Sequence, residues 1–349
     1  MVNTQTITPQ DTPSASLRTV TMLWLQTLTP VHVGAGRGAG AIDLPIVREA
    51  VTHLPYVPSS EIKGALSARS GASADFRELT KLSSDLEAGQ QQLAKYAFGV
   101  EHGAAEGGGA LVFCDARLVC FPARSLYGTF AWLACPLTLQ RLKRDLKIFL
   151  QVKDDLPCVP TVTGDAQLLA ASNSCLALAD NACFIEDLKM DMTRQEDDAP
   201  FARWATILAQ NWFPGDQDWQ NMFKERFALV SDEAFGFLTE TACEVRARVR
   251  LKEETKTVKD GHLWYEEYLP QESLLAAPVW CDTLAPTKAT EIRKHLEAPN
   301  CSDDEIRAKL LAHYCKDQSL RLGGKQSIGK GQCSARFAWP RLPQNTENP

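Results

Sequence analysis

One aspartate stands alone among small residues near the start of this 349-residue chain. Residues 28–66 read LTPVHVGAGRGAGAIDLPIVREAVTHLPYVPSSEIKGAL, with glycines at 34, 36, 38 and 40 and Asp43 between the glycine run and Pro45. No other acid follows until Glu49. Residues without bulk let another backbone, or a phosphate chain, come close. Exposed N–H groups beside a cation suit a phosphate backbone as well as a nucleotide. A single carboxylate in such a setting can recruit a divalent ion, but on the residues alone Asp43 also reads as a solvated loop acid or a partner for Arg48. His32 has the character of a hydrogen-bonded structural residue. Spacing supports no Ser–His–Asp arrangement, and no second carboxylate sits at helical distance from Asp43.

Two strings invite a nucleotide reading. GAGRGA (residues 34–39) fits the loose dinucleotide fingerprint, yet the next residues should open a helix and Pro45 stops one. GKQSIGK (residues 324–330) satisfies most of a P-loop string, but the required Ser or Thr is Gly331 and a strand-like segment follows. Neither is a nucleotide fold signature. Ordinary glycine turns and a phosphate-backbone contact both remain.

Composition bounds the rest. An apolar fraction of 44% suits a globular core. No apolar run approaches the roughly 20 residues of a membrane helix. The polar first 18 residues read as a disordered tail without a leader, which points to the cytoplasm. Eleven cysteines without a C-x-x-C match no zinc template and read as small buried apolar residues. The net charge of −6 argues against gross attraction to nucleic acid, but charge is segregated. Residues 318–341 hold Arg321, Lys325, Lys330, Arg336 and Arg341 with no acid, and residues 246–259 hold six basic residues against two acids.

The elements that must position these residues follow from pattern. Residues 19–29 read as a strand. Pro58-Ser59-Ser60-Glu61 reads as a helix start with a serine cap, leading a helix over 61–69 that carries Lys63. Helices are expected over 75–96, 139–149, 201–210, 219–229, 288–296 and 302–316. Strands are expected over 110–121, 272–280 and 332–339. Two extended runs, 242–252 and 262–268, read as a hairpin turning at Asp260-Gly261. Residues 151–198 are weakly periodic and read as an insertion. Strands at both ends, with helices and hairpins between, predict an α+β fold.

With these residues in view, the chain resembles the RAMP superfamily of CRISPR-associated proteins. The opening stretch carries the resemblance, and three later strings narrow it: DARLVCFPARSLYGTFAWLACP (115–136), TKTVKDGHLWYEEYLPQESL (255–274) and LRLGGKQSIGKG (320–331). Together they resemble the backbone subunit of the type III-B effector (Cmr) complex. The resemblance implies a ferredoxin-like (RRM-like) RAMP palm with helical insertions and a protruding β-hairpin thumb. It implies one RAMP domain over 19–340 with an insertion at about 151–230, a thumb at about 242–268, and a tail over 341–349. Copies are expected to stack in a helical filament on guide RNA, beside other Cmr subunits, and each thumb kinks the guide–target duplex. Target RNA is then cut at six-nucleotide intervals, with Asp43 as catalytic residue and ligand of Mg²⁺ or another divalent cation. RNA-binding positions implied are His32, Gly34, Gly36, Ser60, Lys63, Arg124, Lys256, Thr257, Val258, Gly323, Gly324, Lys325 and Lys330. Open alternatives are the type III-A backbone subunit, a non-catalytic guide-RNA scaffold, and a guide-processing endonuclease using His32 as base.

Overall fold

A computed structural model of the chain describes residues 18–36, 38, 40–70, 84–99, 108–152, 156–177, 181–251, 254–255 and 258–342, with the backbone alone at 84–88, 251 and 258–261. The expected RNA-binding residues Lys256 and Thr257, part of the 75–96 helix and most of both tails lie outside these.

The chain opens with β1 (Val20–Thr27), β2 (Tyr56–Val57), α1 (Ser59–Arg69) and α2 (Ser84–Phe98). Next come β3 (Leu111–Phe113), β4 (Ala116–Arg124), β5 (Phe130–Ala134) and α3 (Pro136–Ile148). The middle holds β6 (Gln167–Ala171), β7 (Ala182–Ile185), β8 (Leu188–Gln195), α4 (Pro200–Trp212), α5 (Gln217–Arg226), β9 (Phe227–Val230) and α6 (Asp232–Thr241). The rest comprises β10 (Glu244–Leu251), β11 (Val258–Tyr268), β12 (Leu274–Cys281), α7 (Pro286–His295), α8 (Asp303–Tyr314), β13 (Gln318–Arg321) and β14 (Gln332–Ala338). This is a mixed α+β fold.

Among the described residues twelve strands form one sheet in the order β13-β14-β1-β12-β4-β5-β9-β6-β8-β7, with β2 added on β4 and β3 on β12. Strand β1 lies inside it, antiparallel to both β12 and β14. Side chains alternate across a strand, and both faces of β1 are apolar because both are covered. Leu23 and Leu25 enter a core with Ile62, Leu66, Ile292, Ile306 and Leu310, from α1, α7 and α8. Met22 and Trp24 enter another with Leu139, Leu142, Trp204, Leu208 and Phe223, from α3, α4 and α5. Trp24 meets Trp212 edge-on at 4.9 Å, and their indole N–H groups donate to the carbonyls of Ala338 and Leu25. Burying one such ring contributes on the order of 2 kcal/mol.

Several expectations shift. Asp260-Gly261 is not the hairpin turn. It lies within β11, where the register slips between the pairs Val249–Leu263 and Leu251–Val258. Strand β10 advances two residues there while β11 advances five, so the dipeptide takes up an irregularity and the reversal falls between 251 and 258. At α1, Pro58 holds the cap position without a side-chain bond, and Asp115 accepts the free Ser59 amide at 2.8 Å. Ser59 and Ser60 are therefore the first helical residues. The helix expected over 219–229 ends at Arg226, because Phe227 to Val230 form a buried strand between β5 and β6. Residues 151–198 contain three strands that extend the main sheet. By contrast α8 begins at the expected Ser302, with Glu305 closing a reciprocal capping box.

Candidate active site

The glycine run folds back on itself. Ala35 N–H donates to the Pro45 carbonyl at 3.0 Å, Gly38 N–H to the Asp43 carbonyl at 2.9 Å, and Val47 N–H to the Val33 carbonyl at 2.9 Å. The fold-back leaves Asp43 exposed. Its Oδ2 accepts the Tyr265 amide at 2.8 Å, from the base of β11. The next residue continues this pairing: Leu44 N–H donates to the Tyr265 carbonyl at 3.1 Å, and Glu267 N–H to the Leu44 carbonyl at 3.0 Å. Among the described residues the other Asp43 oxygen has no partner. Arg48, a candidate partner from sequence, is committed elsewhere: its Nη2 lies 2.6 Å from Glu267 Oε1.

Glu266 and Glu267, which no motif in the sequence marks as site residues, fix this strand. Consecutive strand residues face opposite sides, so the two carboxylates grip different partners. Glu267, nearly buried, takes Arg48 on one oxygen and the Ile46 amide on the other at 3.0 Å. Glu266 is 1% exposed and takes Lys325 at 2.6 Å, Trp264 Nε1 at 2.7 Å, Arg248 Nε at 3.2 Å and the Tyr268 hydroxyl. Burial pushes its carboxyl upward, but the bonds from Lys325, Tyr268 and Trp264 outweigh that and hold it at about 2. The sequence signal was present. Two adjacent acids inside a strand rich in aromatics each need a buried partner.

The second glycine loop closes the arrangement. Gly324 N–H donates to the His32 carbonyl at 2.8 Å, and His32 Nδ1 lies 2.7 Å from the Glu267 carbonyl. A carbonyl only accepts, so Nδ1 carries the proton in this arrangement. His32 is buried, with its ring tilted against Tyr268 at 5.5 Å. Lys330, also buried, sets its amine 5.1 Å from the centre of the Tyr268 ring, and Arg246 approaches the same ring at 5.9 Å. Burial, then Arg246, lowers the Lys330 pKa below the ordinary lysine value.

The structure thus brings together His32, Gly34, Asp43, Gly323, Gly324, Lys325 and Lys330 around the base of β11. Helix α1 joins through Glu61, which accepts the Gly323 amide at 3.3 Å. Ser60 is exposed on its first turn, while Lys63 is half-buried with its pKa lowered by burial. Gly36 is exposed on the first loop. Arg124 lies elsewhere, at the end of β4, with its side chain at Glu186 and Asp187 (3.5 and 3.7 Å). Val258 is the first residue of β11, and Lys256 and Thr257 lie outside the described residues.

Among the described residues no three His, Cys, Asp or Glu side chains converge as a metal cage. The donor set at Asp43 fits a different arrangement. Mg²⁺ keeps several waters and is commonly held by one or two carboxylates with substrate phosphates, which one exposed, half-satisfied carboxylate can accommodate.

Residues 24–334 match the RAMP superfamily model. The chain belongs to the RAMP superfamily. This RAMP protein is 30% identical over 310 residues to the CRISPR system Cmr endoribonuclease Cmr4 of Pyrococcus furiosus, covering 89% of the chain and 92% of that relative. It is 25% identical over 333 residues to the CMR subunit Cmr4 of Saccharolobus solfataricus, covering 90% and 95%. Its fold matches a crystal structure of oligomeric Cmr4 from Pyrococcus furiosus with a TM-score of 0.62 at 23% identity, over 92% of this chain and 98% of the other. A chain of the type III-B Cmr-beta complex bound to cognate target RNA matches with a TM-score of 0.61 at 17% identity, over 91% and 97%. Among the described residues no helix is long and apolar enough to cross a membrane.

Proposed function

We propose that this RAMP protein is the repeating backbone subunit of a type III-B CRISPR effector (Cmr) complex. It binds guide RNA, assembles with copies of itself and other Cmr subunits, and cleaves complementary target RNA in the cytoplasm at six-nucleotide intervals. The likeness to a Cmr endoribonuclease favours type III-B over the type III-A equivalent. In this reading the main sheet contains a ferredoxin-like palm, and β10–β11 is the thumb.

The observation that carries the enzymatic reading is Asp43, an exposed carboxylate fixed by the Tyr265 amide at the foot of that hairpin. RNA brings its own nucleophile, the 2′-hydroxyl. The protein therefore has to supply in-line geometry and charge stabilisation. One hairpin face exposes Val245, Val249, Leu263 and Tyr265. These side chains lie on one face through the pairs Val245–Glu267, Ala247–Tyr265 and Val249–Leu263. Such an apolar wedge can unstack a base step and turn the sugar of one nucleotide towards in-line attack. Asp43 then stands beside the kinked phosphate, its free oxygen available to a hydrated cation or to a water. A bound divalent ion supplies charge stabilisation and assists proton transfer at that phosphate. His32, with Nδ1 engaged by the Glu267 carbonyl and its ring buried, acts by holding the second loop against β11.

The lack of any cluster of three or more His, Cys, Asp or Glu side chains, among the described residues, is the observation that favours a scaffold without an active site. Reconstituted complex incubated with complementary RNA and Mg²⁺ separates the two readings. A ladder of products at six-nucleotide spacing supports the nuclease, and full-length target after complete binding supports the scaffold.

A further inference from the structure

The hairpin β10–β11 is a separate two-stranded sheet. A lone hairpin is marginal in water, so its direction depends on what ties its base to the body. The two consecutive carboxylates provide ties on opposite faces. Glu267 is held by Arg48 and the Ile46 amide, both from the Asp43 segment. Glu266 has four donors, and three of them, Arg248, Trp264 and Tyr268, belong to the hairpin itself. Only Lys325, among the described residues, reaches the Glu266 carboxylate from outside, the Leu44 contact being through the backbone.

The backbone at Lys325 makes this tie conspicuous. Its φ of +65° is left-handed, in a Gly-Gly-Lys run where a third glycine would carry no strain. A side chain there costs about 1–2 kcal/mol. The lysine is nevertheless present, with its amine 2.6 Å from a carboxylate that is 1% exposed. The loop that carries it is itself anchored, through Gly324 N–H on the His32 carbonyl and Gly323 N–H on Glu61. Residue 265, next to Glu266, donates the amide that holds Asp43.

We infer that Lys325 is a positioning residue: it fixes Glu266, and through strand β11 the Tyr265 amide that holds Asp43, instead of serving the guide backbone as a free cation. The link to cleavage rests on the reading of Asp43 given above; the link to the hairpin does not. A cation spent on a buried carboxylate is a poor phosphate ligand, because moving it to RNA would leave the Glu266 carboxylate without its side-chain tie to the body. The hairpin and the cleavage carboxylate are then set by the protein's own second loop before target arrives.

Two variants of the full chain test this. Lys325→Met keeps the stem and removes the charge, and Glu266 retains three donors, so the variant folds. Lys325→Arg restores a cation. Amide hydrogen exchange at Tyr265 and Leu44 is expected to accelerate about tenfold in the Met variant and to return towards wild type in the Arg variant. Guide affinity is expected to stay within about twofold, with an unchanged salt slope. In cleaving complex, turnover at saturating target falls about tenfold with little change in half-saturation. Unchanged exchange at both amides overturns the inference. So does a fall in guide affinity with the salt slope reduced by about one, the signature of a lost phosphate contact. If the wild-type complex leaves target intact, the nuclease reading fails, and the exchange measurement still decides the role of Lys325.

Discussion

The two glycine-bearing loops of this RAMP protein look alike in sequence and differ in space. In the second loop, a Cβ at Gly323 would stand 2.2 Å from the His32 carbonyl oxygen, and one at Gly331 would stand 2.2 Å from the Leu322 carbonyl oxygen. In the first loop, Cβ atoms at Gly36 and Gly40 would meet nothing within 4 Å. The contrast has exceptions: in the first loop Gly38 packs on its own turn and a Cβ at Gly34 would stand 3.1 Å from His32 Nε2, and in the second loop Gly329 is open. Small residues in the second loop chiefly let the protein pack on itself; in the first, Gly36 and Gly40 leave room beside the chain. A glycine-rich string therefore does not by itself say whose backbone comes close.

The largest effect should come from filling the packed loop. Gly323→Ala meets the His32 carbonyl and takes a φ of +74°, and is expected to cost about 3 kcal/mol in denaturant unfolding. Gly36→Ala, strained by its φ of +96° in open space, should cost about 1 kcal/mol. Equal costs would break the distinction between the loops.

A smaller effect tests whether the packed loop still faces phosphate through Lys330. Its amine lies 5.1 Å from the centre of the Tyr268 ring, and burial, then the charge of Arg246, holds its pKa below the ordinary 10.5. The folded protein therefore loses that charge earlier as pH rises. Guide affinity measured through the alkaline range should decline sooner for wild type than for Lys330→Arg, which stays charged. Superimposable pH profiles would remove Lys330 from the interface.

The smallest stability effect belongs to the open loop. Gly40→Ala has neither a steric neighbour nor a left-handed φ, and should change stability by less than about 0.5 kcal/mol. If RNA passes over that loop, the same variant weakens RNA binding in a filter assay. Unaltered binding would make the open space merely solvent.

Much of this arrangement was legible in the residues. Apolar residues on both faces of β1 mark a strand covered on both sides, Ser302 with Glu305 writes its own helix start, and the motif blocks named the family before any geometry was known. Other features depend on partners far away in sequence. Asp260-Gly261 has the chemistry of a tight turn, but pairing of Glu244 through Val249 with Leu263 through Tyr268 sets the reversal nearer the tip. The cap of α1 comes from Asp115, on another part of the chain. Phe227 to Val230 continue a helical pattern and become a strand because β5 and β6 flank them. At the site, Asp43 and His32 could be named from their strings. The roles of Glu266, Glu267 and Arg48 required knowing that residues 43–48 lie against 265–267.

The central claim is that Asp43 acts in cutting and not in holding. The direct measurement is target cleavage and guide binding by complex reconstituted with Asp43→Ala, compared with wild type under the same Mg²⁺. The expected result is unchanged guide and target binding with loss of the six-nucleotide ladder, a fall in rate of at least about a hundredfold. A ladder retained at near wild-type rate by fully assembled Asp43→Ala complex would contradict the account.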